Sequence, residues 1–197
     1  MGDISYMSVV GDVELKVLRY LFSNPKQFIQ HIQKGIHAPY VSTYLAVKRL
    51  HEKGYVEVAD EAKTEKGNLE KRWRLSEKGL AYVIATADDE DVWVLERCPP
   101  EYIPTDIIQL MRAWSSYIGK ENIRKIIRTG YKIYLSALEN GKVKPAEAIH
   151  YVPAAVLNWL LTEGEVELDK PLPTKPLDFE LLKQILKMWR EGVKQLK

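Results

Sequence analysis

The chain has 197 residues, of which 46% are hydrophobic, 28% charged and 10% aromatic, a balance that excludes global disorder and fits a folded protein. A chain of this length buries roughly two thirds of its unfolded surface and needs no covalent staple. Cys98 is its only cysteine, which excludes an internal disulfide and a cysteine-rich zinc site and suits a reducing compartment. No apolar run approaches the ~18 residues of a membrane span, and Met1–Val10 lacks the basic-then-apolar order of a signal peptide. The expectation is a cytoplasmic protein with no membrane partner.

Net charge is +2 but unevenly spread. Residues 1–87 carry 13 Lys and Arg against 10 Asp and Glu, while residues 88–197 carry 16 against 17. The excess lies mostly in residues 26–74, with 10 against 6, so position rather than amount must decide what it binds.

In chain order, Asp12 is placed to cap a helix from Val13 to Ser23, with Val17, Leu18, Leu21 and Phe22 at helical spacing. Asn24-Pro25 reads as N-cap and first position of a second helix, which carries Phe28, Ile29 and Ile32 and stops at Gly35. A short turn leads through Pro39 to a third helix ending at Lys53-Gly54. Tyr55–Val58 and Lys71–Leu75 have strand character, joined by a polar connection with its turn at Gly67-Asn68. Ser76 then caps a helix to about Ala87. The acidic run Asp88-Asp89-Glu90-Asp91 and the prolines Pro99, Pro100 and Pro104 mark a boundary, giving domains 1–90 and 91–197.

Two segments carry a resemblance. Thr43-Tyr44-Leu45-Ala46-Val47-Lys48-Arg49-Leu50-His51-Glu52-Lys53-Gly54-Tyr55-Val56 resembles the end of the recognition helix of winged-helix regulators of the PadR and MarR type. Arg74-Leu75-Ser76-Glu77-Lys78-Gly79 is similar to the segment by which their wing returns into the next helix. The similarity covers residues 12–87, less than half of the chain. It departs from the family at Thr43, where many relatives carry a larger apolar residue, and at Pro39 and Tyr40 near the start of the helix. The order of elements and this resemblance together give the expected fold class, mainly α with a small β-hairpin wing: an N-terminal winged helix-turn-helix, followed by a C-terminal helical domain read from the helical patterns of residues 104–197.

An α-helix fits the major groove, with its N-terminal half at the base edges and flanking groups on phosphates. With Ala46, Val47 and Leu50 facing a core, the other side of the third helix offers Tyr40, Ser42, Tyr44, Lys48 and Arg49. The wing adds Lys63, Lys66, Lys71, Arg72 and Arg74 against Glu65 and Glu70. These ten residues are the expected contacts to double-stranded DNA. A second use of the same face is protein docking, for which an exposed apolar patch of Tyr40, Val41 and Leu45 would be the sign. The basic hairpin is also what a solvated, aggregation-resistant edge looks like.

Residues 104–197 read as four helices, the second from about Glu121 to Glu139 with Arg124, Arg128 and Lys132 along one stripe. Pro171, Pro173 and Pro176 precede a last helix, 178–197, in which Phe179, Leu182, Leu186, Trp189, Val193 and Leu196 step by threes and fours as in a coiled-coil seam. This seam either packs within the chain or pairs two chains; the resemblance favours a homodimer with Phe179, Leu182, Leu186, Trp189 and Val193 at its interface. Dense aromatics, Trp93, Trp114, Tyr131 and Trp159 among them, serve as core or line an effector pocket.

No catalytic constellation assembles. His31, His37, His51 and His150 have no metal-ligand spacing, and no phosphate-binding loop, dinucleotide fingerprint or nucleophile elbow is present. The expectation is a DNA-binding homodimeric transcriptional regulator, not an enzyme, with no cofactor and no metal. The alternative is a winged-helix interaction module of transcription, replication or DNA-segregation machinery.

Overall fold

The computed structural model describes residues 10–86, 98–103, 105, 108–109, 112, 115 and 119–141. Its elements are α1 (Asp12–Ser23), α2 (Ile29–Ile36), α3 (Tyr40–Glu52), β1 (Val56–Lys63), β2 (Leu69–Leu75), α4 (Glu77–Ala85) and α5 (Lys120–Glu139). The described chain is therefore mostly helical with one antiparallel hairpin, β1–β2, following three helices and preceding a fourth. It forms two compact units, Met1–Gly79 and Leu80–Lys197, divided within α4. The acidic run at 88–91 lies outside the described residues.

In the first unit Val17, Leu18, Leu21 and Phe22 of α1, Ile32 of α2 and Ala46, Val47 and Leu50 of α3 are fully buried, joined by Tyr55, Val56 and Leu75. These are the periodic positions of each element, so the helical spacing translates directly into burial. Thr43 is buried among them. Its Oγ1 donates to the Pro39 carbonyl at 3.1 Å, so a polar side chain takes an apolar position without an unmet hydrogen bond.

The chain departs from expectation at the start of α1 and at both ends of α2, while α1 ends at Ser23 as expected. Gly11, not Asp12, is the N-cap of α1, and Asp12 is helical. The cap is reinforced from within, because the Gly11 N–H donates to Glu14 Oε2 at 3.2 Å. Asn24 closes α1 rather than opening α2; its side-chain amide donates to the Tyr20 carbonyl at 3.1 Å. Residues 25–28 do not continue into a helix because Gln27 pairs with Trp73 through two backbone hydrogen bonds of 2.9 and 2.8 Å, extending the hairpin by an isolated bridge. A long-range partner thus overrides a local Asn-Pro start signal. Helix α2 also runs through Gly35 to Ile36. Gly35 lets the Tyr20 ring lie against the helix where a Cβ would displace it, and the left-handed residue that ends the helix is His37, at φ 52°.

The hairpin is longer than its sequence suggests. Ala59–Lys63 is strand, not loop: Asp60–Lys63 pair with Leu69–Arg72, and Ala59 lies in a bulge between Val58 and Asp60. Gly67, at φ 80°, closes the turn. The segments on either side of the hairpin then lock together. Ser76 Oγ donates to the Gly54 carbonyl at 2.6 Å and accepts from the Gly79 N–H at 3.1 Å, which caps α4 as expected. Lys78 Nζ sits 4.4 Å from the Tyr55 ring centre and donates to the Lys53 carbonyl at 3.1 Å.

In the second unit Leu80–Ala85 are all buried. Helix α5 buries Ile123, Ile127, Tyr131, Tyr134 and Leu135 and exposes Lys125, Lys132 and Glu139. It ends at Asn140, whose side chain donates to the Ser136 carbonyl at 2.7 Å, as the Asn140-Gly141 pair leads one to expect. Arg124 and Arg128 are half-buried rather than forming an open stripe with Lys132. The expected third and fourth helices of this half, including the seam Phe179, Leu182, Leu186, Trp189 and Val193, lie outside the described residues.

Gly79 is the tightest point of the lock, since a methyl group there would overlap the Tyr55 carbonyl oxygen. Gly79→Ala is expected to cost about 1–3 kcal/mol of stability, against about 1 kcal/mol or less for Gly67→Ala, which meets nothing but carries a left-handed φ. Urea unfolding followed by circular dichroism distinguishes the two; equal losses would contradict the tight approach.

Candidate nucleic-acid interface

Burial of Thr43, Ala46, Val47 and Leu50 fixes which side of α3 faces out. That side presents Tyr40, Val41, Tyr44 and Leu45, which are 49%, 66%, 46% and 44% exposed and with Leu69 are the exposed large hydrophobics of the described residues. Lys48 follows one turn after Tyr44 and is exposed, as is Arg49, while Ser42 is half-buried. The helix begins at Pro39 with no side-chain cap and no acidic residue in its first turn, which leaves its positive end open to an anion.

The orientation of α3 is tied to α1 by Glu14. This carboxylate, only 4% exposed, accepts from Arg49 Nε at 2.7 Å, from Lys53 Nζ at 3.3 Å and from the Gly11 N–H. Burial by itself raises its pKa, but the Gly11 N–H, Lys53 and Arg49 together outweigh burial and hold it below the ordinary glutamate value. One residue thus joins the start of α1 to the last turn of α3. It also engages a cation expected on DNA.

The hairpin shows the same partition. Arg72 forms a two-pronged bond to Asp60, Nε to Oδ1 at 2.6 Å and Nη2 to Oδ2 at 2.7 Å. The Arg72 hydrogen bond holds the Asp60 carboxyl below its ordinary pKa, and Asp60 in turn raises that of Arg72. Arg74 bonds Glu57 Oε1 at 2.7 Å. Counted over its observed length, Val56–Leu75, the hairpin holds Lys63, Lys66, Lys71, Arg72 and Arg74 against Glu57, Asp60, Glu61, Glu65 and Glu70, and is neutral. Glu57, Asp60 and Glu61 of β1 cancel the basic excess expected for the wing from residues 63–74. Lys63, Lys66 and Lys71 are exposed, and neither they nor Lys48 makes an ion pair among the described residues.

The ten residues expected on DNA therefore fall into two sets. Lys48, Lys63, Lys66 and Lys71 are open cations, and Tyr40, Ser42 and Tyr44 sit on or beside the outward face of α3. Arg49, Arg72 and Arg74 are held by carboxylates. Glu14 escapes a reading of the sequence because its partners lie 35 and 39 residues away; its one local sign is a glutamate three residues after Gly11. Val41 and Leu45 complete the open face, exposed as the protein-docking alternative expects and absent from the residues expected on DNA.

Residues with other chemistry are occupied structurally. The His51 Nδ1–H donates to the Val56 carbonyl at 3.0 Å, and its ring meets the Trp73 edge at 5.2 Å. His31 Nδ1 bonds the Gln27 side chain at 3.2 Å. Burial pushes the Cys98 thiol up to about 12, far from a nucleophilic thiolate. Among the described residues no group of His, Cys, Asp or Glu is arranged to hold a metal ion, and no helix is long and apolar enough to cross a membrane. No protein-family model, curated protein or solved structure matches the chain.

A native-state pKa below the unfolded one adds stability above the ordinary glutamate range, and this is lost as pH falls through the lowered value. Glu14→Gln is therefore expected to cost about 1–2 kcal/mol near neutrality and to make stability less dependent on pH between about 6 and 3. A parallel pH profile for variant and wild type would show that Glu14 is not the titrating tie. Cys98 should react with a chromogenic disulfide reagent at mildly alkaline pH far more slowly in the folded protein than in urea; equal rates would show an open thiol.

Proposed function

We propose that the chain binds double-stranded DNA as a homodimeric transcriptional regulator of winged-helix type, laying α3 in the major groove and the hairpin against the backbone. The observation that carries this reading is the outward face of α3. The helix is held by its inner residues and Glu14, and it offers an uncapped N-terminus, two tyrosines and Lys48. Lys63, Lys66 and Lys71 supply open cations on the hairpin. The interlock of Gly54-Tyr55 with Ser76–Gly79 joins the two segments that resemble PadR and MarR regulators, which fits a wing returning into the next helix. Dimerisation through the seam of 178–197 would present two α3 helices to half-sites about one DNA turn apart. In this reading no chemistry is performed, no cofactor is needed, and the protein acts in the cytoplasm by occlusion or recruitment.

A second reading has its own observation. The exposed Tyr40, Val41, Tyr44 and Leu45 form the apolar patch that a protein-docking winged helix would need. The two differ in salt dependence. Fluorescence anisotropy of the full chain with random-sequence duplex DNA is expected to show affinity falling steeply as salt rises. Replacing Lys63, Lys66 and Lys71 with alanine is expected to weaken binding to all sequences and to flatten the salt slope by up to about 0.9 for each phosphate no longer neutralised. Arg72→Ala should do less, since that guanidinium is already held by Asp60. Absence of binding at low salt would overturn the DNA reading in favour of protein docking.

A further inference from the structure

The outward face of α3 has an unusual makeup for a surface that meets a polyanion. Val41, Tyr44, Leu45 and Lys48 recur at i, i+3, i+4 and i+7, one continuous stripe, and the first three are apolar or aromatic with 44–66% of their surface open. Between Tyr40 and Val47 there is no Arg, Lys, Asn or Gln. Those are the side chains that read guanine through O6 and N7 or adenine through N6 and N7. The hydroxyls of Tyr40, Ser42 and Tyr44 reach donors and acceptors of either kind and discriminate poorly. The base-edge group that an apolar side chain can read is the C5-methyl of thymine.

From this we infer that α3 selects DNA by packing Val41, Leu45 and the Tyr44 ring against thymine methyl groups in the major groove. The inference rests on the DNA-binding reading and names the feature of the duplex that this site takes. The occupant follows from charge as well as shape. From Tyr40 to Arg49 the helix carries Lys48 and Arg49 and no acidic residue; Arg49 is paired with Glu14, and Lys48 ends the apolar stripe as an exposed cation. An apolar stripe ending in an exposed cation suits a duplex, whose backbone meets the cation while methyl groups face the stripe. Glu14 strengthens the assignment by anchoring Arg49 beside the stripe rather than leaving it free to swing onto a guanine.

The test compares two short duplexes, alternating dA–dT and alternating dA–dU, which differ by the C5-methyl alone. Full-length protein is titrated with each by anisotropy, together with the variant Val41→Ser/Leu45→Ser. Both positions are exposed, and neither substitution removes a charge. Wild-type protein is expected to bind the dU duplex roughly four-fold more weakly for each methyl it covers, the worth of one apolar carbon withdrawn from water. The variant is expected to lose most of this preference, keeping at most the share of the Tyr44 ring, and to keep the salt slope. Equal affinity of the wild type for both duplexes, or a preference undiminished in the variant, would overturn the methyl-reading role and leave DNA binding standing. Failure to bind either duplex at low salt would overturn the DNA reading along with it.

Discussion

The buried carboxylate of Glu14 sits where three requirements of the first unit meet. It completes the start of α1 by accepting the Gly11 N–H, ties that start to the last turn of α3 through Arg49 and Lys53, and neutralises charge that would otherwise gather there. A carboxylate can be buried when its lone pairs are filled by charged donors, as they are here. The inner face of α3 then packs through Thr43, Ala46, Val47 and Leu50, and the outer face has no freedom to be anything but Tyr40, Val41, Tyr44, Leu45 and Lys48. The candidate interface is thus a consequence of how the core is closed.

Charge in this unit is organised by pairing. Arg49, Arg72 and Arg74 each have a carboxylate partner, whereas Lys48, Lys63, Lys66 and Lys71 have none among the described residues. Arginine forms rigid two-pronged bonds that build structure, as between Arg72 and Asp60, while lysine remains a hydrated point charge on a flexible stem. Arg49, Arg72 and Arg74, together with Lys53, hold the hairpin and α3 in place, and Lys48, Lys63, Lys66 and Lys71 remain exposed. A mild net charge of +2 therefore understates what the surface offers and overstates what the hairpin as a whole carries.

Much of this is legible in the sequence where local periodicity governs. The buried positions of α1 and α3, the glycine end of α3, the Ser76 cap and the span of α5 all follow from spacing and capping chemistry. The misreadings have long-range causes. Asn24-Pro25 reads as a helix start, yet Gln27 is claimed by the backbone of Trp73. Ala59–Lys63 reads as loop because it lacks apolar alternation, yet the β2 ladder and the Asp60–Arg72 bond make it strand. Nothing local places Glu14 in the core, because its cationic partners are distant in sequence. The exposure of Val41 and Leu45, by contrast, follows once the inner face of α3 is known.

The most direct test of α3 as the DNA-contacting element is a map of backbone amide shifts on the uniformly 15N-labelled full chain, with and without a short duplex at low salt. Perturbations are expected to concentrate from Tyr40 to Arg49 and from Lys63 to Lys71, with the buried positions Val17 to Phe22 of α1 little changed. Perturbations that spare α3, or that map only outside the first unit, would contradict that role.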